Sequence, residues 1–304
     1  MELYRLAAAA AQADSDDERF RESAAMVAAL HALQGQTGEA QPWLSQAGSG
    51  VDASQKDAWS RLLLAQGLLA RARGENGLAL QRFDELYAFS SDQRRFDRAM
   101  QAASLATLVA VGRERLQWSE RAVDAARNSG EPRWEAAARG AQAWTLEGEG
   151  DFAAALEAFR ESRRLYGESG QPRERLKADW SLGHGLRMAG EVAPARALMD
   201  RVLKVAKAFQ MRGWSPNDSE WVARSHEELA QLSRMRGNYD NALKHLAAAR
   251  RAYMLANAET LAPERLEQVD ALTSAVRAEQ GGSIGETVPM EGAEASEASA
   301  GGVR

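Results

Sequence analysis

The sequence predicts an all-α protein, an α-solenoid of about six helix–turn–helix units, and three observations carry that prediction. First, a glycine recurs between two helical patterns, at Gly35, Gly74, Gly112, Gly150, Gly190 and Gly237, at intervals of 39, 38, 38, 40 and 47 residues. Repetition at such a period marks stacked two-helix units, none of which can bury its apolar face alone. Second, the glycine is followed five residues on by a small side chain (Ala40, Ala79, Ala155, Ala195, Ala242) and nine residues on by a larger apolar one (Leu44, Phe83, Phe159, Met199, Leu246). Residues four apart share a helical face, so the small one admits a close helix crossing and the larger one fills the adjoining space. The third unit departs, with Gln117 and Arg121 at these places. Third, hydrophobic residues make up 45% of the chain but aromatics only 7%, with alanine abundant. That composition suits closely packed helices and is too poor in β-branched residues for a sheet.

Taken in order, residues 1–16 form an N-terminal helix and cap: an alanine-rich helix over 1–13, then Asp14, Ser15, Asp16 and Asp17 as candidate N-caps for the next helix. The solenoid runs over 17–257. Its helix pairs are expected at 17–34 with 38–47, 54–73 with 76–90, 93–111 with 114–129, 133–149 with 152–168, 173–189 with 192–211, and 218–236 with 239–257. Each recurrent glycine is expected to end a first helix, where a positive φ costs it little. Ser129-Gly130-Glu131-Pro132-Arg133 returns as Ser169-Gly170-Gln171-Pro172-Arg173, which makes the pattern from 136 onward the best formed. The long last interval holds Arg212 to Asp218, read as an extended second helix and a loop that caps the next. Residues 258–280 read as a charged capping helix, and 281–304, rich in Gly, Ser, Ala and Glu, as a disordered tail.

The 304 residues exceed what one compact core usually supports, a limit that a solenoid escapes because each unit packs on its neighbours. Net charge is −5, of which the tail accounts for −3, so no basic nucleic-acid footprint and no polybasic membrane patch is present. The absence of cysteine excludes disulfides, thiolate catalysis and cysteine zinc sites. No apolar run approaches the roughly 18–20 residues that span a bilayer. Glu2 precedes a short, weakly apolar segment, so a secretory leader is not expected and a cytoplasmic location is.

Leu182, Gly183, Leu186, Gly190, Ala195 and Met199 match one unit of a known pattern, as do Gly150, Asp151, Phe152, Ala155 and Phe159, and Gly237, Asn238, Tyr239, Ala242, Leu246 and Ala249. The pattern resembles the tetratricopeptide repeat (TPR). Its long period is similar to the sensory repeats of bacterial diguanylate cyclases and large transcription activators, whose Gly-Gly-Asp/Glu-Glu-Phe motif and DNA-binding helices are not visible here. The resemblance implies a right-handed superhelix whose concave groove is lined by first-helix positions counted back from each glycine. Carried over, those positions give Trp144 in the fourth unit, Lys177, Trp180, His184 and Arg187 in the fifth, and Arg224, Glu227 and Arg234 in the sixth. Arginine and tryptophan dominate many interfaces. The cations are expected to pair with carboxylates of a protein or peptide partner, and the tryptophans to supply anchoring area. Two other readings stay open: tryptophans packed between neighbouring helices, and arginines on a solvated face. The asparagine clamp of chaperone-binding TPR proteins is absent, since Ala29, Leu68, Ala106, Trp144, His184 and Gln231 stand at those positions.

Four histidines, His31, His184, His226 and His245, form no H-x-x-x-H pair, so no metal site is expected. Only His184, Arg187, Glu227 and His226 offer a cluster for an enzymatic reading, and no catalytic motif supports it. The expectation is a non-enzymatic adaptor without cofactor, binding a partner peptide or helix in its groove. The alternative is a sensory module of a signalling system that has lost its output domain or acts with it in trans. Oligomeric state is not legible.

Overall fold

Among the described residues, the short polar stretches between apolar helical patterns become turns, and the patterns themselves become helices. In the computed structural model, residues 1–169, 171–213 and 218–285 are described, and they form fifteen helices and no strand. The predicted all-α solenoid of TPR-like repeats is the fold, built of helices paired in chain order.

The chain divides into two compact units, Met1–Ala195 and Arg196–Arg304. The first holds α1 (Glu2–Ala13), α2 (Asp17–Leu33), α3 (Thr37–Gly48), α4 (Lys56–Ala72), α5 (Asn76–Asp92), α6 (Phe96–Ala106), α7 (Gly112–Asn128), α8 (Pro132–Gly148), α9 (Phe152–Ser169) and α10 (Pro172–Met188). The boundary falls within α11 (Val192–Arg212). The second unit continues with α12 (Asp218–Arg234), α13 (Tyr239–Leu255), α14 (Ala258–Leu261) and α15 (Pro263–Gly285).

Local chemistry sets the helix ends. Asp16 and Asn238 cap α2 and α13, accepting from the amides of Arg19 and Asn241, and Pro132 and Pro172 open α8 and α10, where a missing N–H costs nothing. At five of the recurrent glycines φ lies between 69° and 85°. There the next residue's amide reaches back five places to a helix carbonyl, as from Glu75 to Ala70, Asp151 to Leu146 and Glu191 to Leu186. This closure satisfies carbonyls that the helix leaves open and turns the chain onto the second helix.

Gly112 differs from the expectation: it opens α7 instead of closing α6, which stops at Ala106. The segment between them, Thr107-Leu108-Val109-Ala110-Val111, carries three β-branched residues that hold a helix poorly. The change of register explains why Gln117 and Arg121 break the repeat. Both are exposed, and Ser119 and Val123, four apart, are the buried small and larger pair of α7.

Elsewhere the repeat predicts the core. Ala40, Ala79 and Ala155, with Phe83 and Phe159, are buried in the first unit, and Met199, Ala242 and Leu246 in the second. Alanines from α2 to α6 join Leu62, Leu63, Leu68, Phe83 and Leu86 in one continuous apolar cluster. Gly67 and Gly185 let two rings approach, since a Cβ on them would stand 2.4 Å from Phe83 and 2.6 Å from Phe159. Trp134 packs on Val123 and Ala126 of the preceding pair.

In the second unit α12 packs on α13 and α13 on α15. Where one helix was expected over 258–280, Pro263 separates α14 from α15, which continues to Gly285. Of the tail expected to be disordered over 281–304, residues 281–285 instead continue α15, and 286–304, like residues 214–217 of the expected loop, lie outside the described residues.

Candidate functional site

Helical spacing places Trp144 and Glu147 one turn apart on α8, and Lys177, Trp180, His184 and Arg187 along one stripe of α10. In the first unit these two faces meet. The indoles of Trp144 and Trp180 stack at 6.1 Å between centroids, inclined by 29°. The imidazole of His184 stacks on Trp180 at 5.6 Å and 17° and lies 4.9 Å from Trp144. Beneath them Phe159 of α9 meets Trp144 edge-on at 5.0 Å. The ring held by Gly185 is therefore the floor of an aromatic shelf, whose outer ring, Trp144, is 39% exposed.

Polar groups lock the imidazole from both sides. His184 Nε2 lies 2.9 and 3.1 Å from the Glu147 carboxylate oxygens, and Arg187 Nη2 lies 3.3 Å from His184 Nδ1. A carboxylate only accepts and a guanidinium only donates. Nε2 therefore carries the proton and donates to Glu147, while Nδ1 accepts from Arg187, which assigns the neutral Nε2–H tautomer. The ring cannot turn without breaking both bonds. Lys177, one turn before Trp180, is exposed at the edge of the stripe.

The three predicted residues of the second unit lie on α12, each against a partner. Arg224 pairs with Glu220 at 2.6 Å and lies over the ring of Trp221. The Glu227 carboxylate accepts from the Tyr253 hydroxyl; burial raises the Glu227 pKa, which the tyrosine bond partly offsets. Burial likewise pushes the Tyr253 phenol up. Arg234 forks onto the Glu279 carboxylate, with Nε at 2.9 and 3.1 Å, and its guanidinium bonds hold Glu279 below the usual carboxylate range. Each of the three side chains thus has a neighbour within the chain.

The structure thus joins Trp144, Trp180, His184 and Arg187 in one constellation, with Lys177 beside it. Sequence reasoning missed Glu147 and Phe159 as partners of the shelf, although Glu147 falls on a groove position when the units are aligned on their glycines. It also missed Tyr253 and Glu279, whose pairing depends on how α13 and α15 pack. Among the described residues no group of three or more His, Cys, Asp or Glu is arranged to hold a metal ion, and no helix is long and apolar enough to cross a membrane.

No protein-family model matches the chain, and no curated protein matches it in sequence. Solved structures do match in fold. The apo form of RapI aligns over 88% of this chain and 73% of its own, with 13% identity and a TM-score of 0.63. A Rap protein complexed with competence and sporulation factor aligns over 88% and 76%, with 15% identity and a TM-score of 0.50. A signal transduction ATPase with a tetratricopeptide repeat sensor, from Pyrococcus horikoshii, aligns over 93% of this chain but only 44% of its own, with 11% identity and a TM-score of 0.56. At these identities the likeness establishes the TPR-type fold.

Proposed function

We propose that this chain is a non-enzymatic adaptor that binds a partner peptide or helix on the shared face of α8 and α10. The observation that carries this reading is the aromatic shelf, in which a 39%-exposed indole stacks on a second indole, and that second indole stacks on an imidazole locked by Glu147 and Arg187. Rigid aromatic area lets a partner bury apolar surface at little cost in side-chain ordering. In this reading Trp144 and Trp180 are the anchors, His184 holds them in register, and Lys177 and Arg187 favour a partner carrying carboxylates. Arg224, Glu227 and Arg234 are proposed as a binding face of the second unit. The Rap protein complexed with competence and sporulation factor supports a peptide or protein as the kind of ligand. A cytoplasmic setting goes with this proposal.

The test is affinity capture from native cells with mass spectrometry, using the chain and its Trp144→Ala/Arg187→Ala variant. Both residues lie at or near the surface, so helicity by circular dichroism should stay unchanged. Partner recovery is expected to fall at least ~10-fold, as for loss of a hot-spot pair. Recovery of the same partners at undiminished level refutes the assignment.

A second reading is favoured by the tetratricopeptide repeat sensor of the Pyrococcus ATPase: a sensory module acting with an output domain in trans. Thermal stabilisation by small metabolites, with none by captured peptides, decides for it.

A further inference from the structure

Helix α1 buries only two side chains, Ala8 and Ala11. Its opposite face is apolar and turned outward. Leu3, Leu6, Ala10 and Ala13 are spaced three, four and three residues apart, which aligns them in one stripe of a helix. All four are exposed, Leu3 by 81% and Leu6 by 59%. Beside the stripe, a cleft of about 410 Å³ opens between α1 and the start of α2, lined on the α1 side by Tyr4, Ala7, Ala10 and Ala11. Its alanines are too short to fill it. The same helix therefore carries two unburied leucines and an unfilled hollow, and Ala10 belongs to both.

The arrangement is self-complementary in one orientation. With two α1 helices antiparallel and centred near residue 8, Leu3 of one copy faces Ala13 of the other, and Leu6 faces Ala10, at the mouth of the cleft. Large residues then stand opposite small ones along the whole stripe. A parallel pairing would set leucine on leucine at one end and leave alanine facing alanine at the other. Knob and hollow on one patch, repeated by a two-fold axis, make an isologous contact. Asp14, Asp16 and Glu22, against the lone Arg19, make the cleft acidic, which disfavours an anionic lipid surface as the occupant.

We propose that the outward face of α1 is a self-association surface, on which a second copy of this chain docks its own α1 antiparallel. A contact of this length sits at the low end of specific interfaces, about 1,000 Å² in total, so the association is expected to be micromolar.

Sedimentation of the full chain from about 1 to about 200 μM tests this: the mass should rise from monomer towards dimer, and Leu6→Glu should raise the dissociation constant at least ~10-fold. Leu6 is exposed, so circular dichroism should be the same for both proteins. The chain has no cysteine, so register can be read by mixing Leu6→Cys and Ala10→Cys proteins under mild oxidation. Cross-links between the two variants should outnumber Leu6→Cys self-links. The proposal is overturned by a monomer at every concentration, by a dimer indifferent to Leu6→Glu, or by predominant self-linking of Leu6→Cys. Co-sedimentation with phosphatidylglycerol vesicles, abolished by Leu6→Glu and without a dimer in solution, overturns it in favour of a lipid surface.

Discussion

Two histidines show how neighbours decide what one residue type does. His184 is held between an acceptor and a donor and serves as a fixed aromatic plate. His226 instead faces another imidazole, its Nδ1 2.9 Å from that of His245, so one nitrogen donates and the other accepts. A proton on the accepting Nδ1 would set two N–H groups against each other. Burial, then His245, Lys207 and Arg251, hold the His226 pKa down at about 4, and burial lowers that of His245 as well. The folded His226 therefore refuses a proton that the unfolded chain accepts near its ordinary 6.5. Its effect on stability should be absent above that pH and should grow as a penalty as pH falls towards about 4, costing at most about 3 kcal/mol. Urea midpoints measured from pH 7.5 to 4 should fall more steeply for the natural chain than for His226→Gln. Parallel curves would mean that the pair does not titrate in this way.

At the scale of the element, glycines do opposite jobs according to what stands across from them. Gly185 lies inside α10 with Phe159 so close that an added methyl would stand 2.6 Å from the ring. The ring has little freedom to retreat, because Trp144 lies edge-on to it. Gly185→Ala should therefore destabilise by about 1–3 kcal/mol, as overpacking does, and should shift tryptophan fluorescence by moving the shelf. Gly77, in α5, meets nothing within 4 Å. Gly77→Ala should stabilise by about 0.5–1 kcal/mol through helix propensity alone. Thermal melts of the two variants that moved in the same direction would contradict this account of helix contact.

Within each of the two units, helices pack on helices one or two places along the chain, so stability is distributed locally rather than held in one centre. Burial then ranks the elements. Ten residues of α4 are buried, against two of α1 and one of α14. Amide exchange followed by mass spectrometry should show α1 and α14 exchanging at least ~10-fold faster than α4. Uniform protection along the chain would indicate a single cooperative core.

The sequence by itself determined the architecture: glycine turns, alanine crossings and larger fillers recur in order, and each is a local rule acting within one helix or one turn. The resemblance to the TPR pattern, counted back from each glycine, implied a common face for Trp144, Trp180, His184 and Arg187, and helical periodicity is consistent with that face within each helix. The register of α7 escaped the local rules, since β-branched residues ended α6 early and left Gly112 to open a helix. Tertiary structure alone decided which charges meet. Arg234 takes its carboxylate from Glu279, 45 residues away, and Glu227 its hydroxyl from Tyr253, 26 residues away. Such pairs leave no local trace, because an ion pair depends on distance in space and any of the chain's 43 acidic residues satisfies its chemistry. The same holds for Glu147 and His184: spacing along the helices brought both to the shared face of α8 and α10, and only packing turned them into a bond.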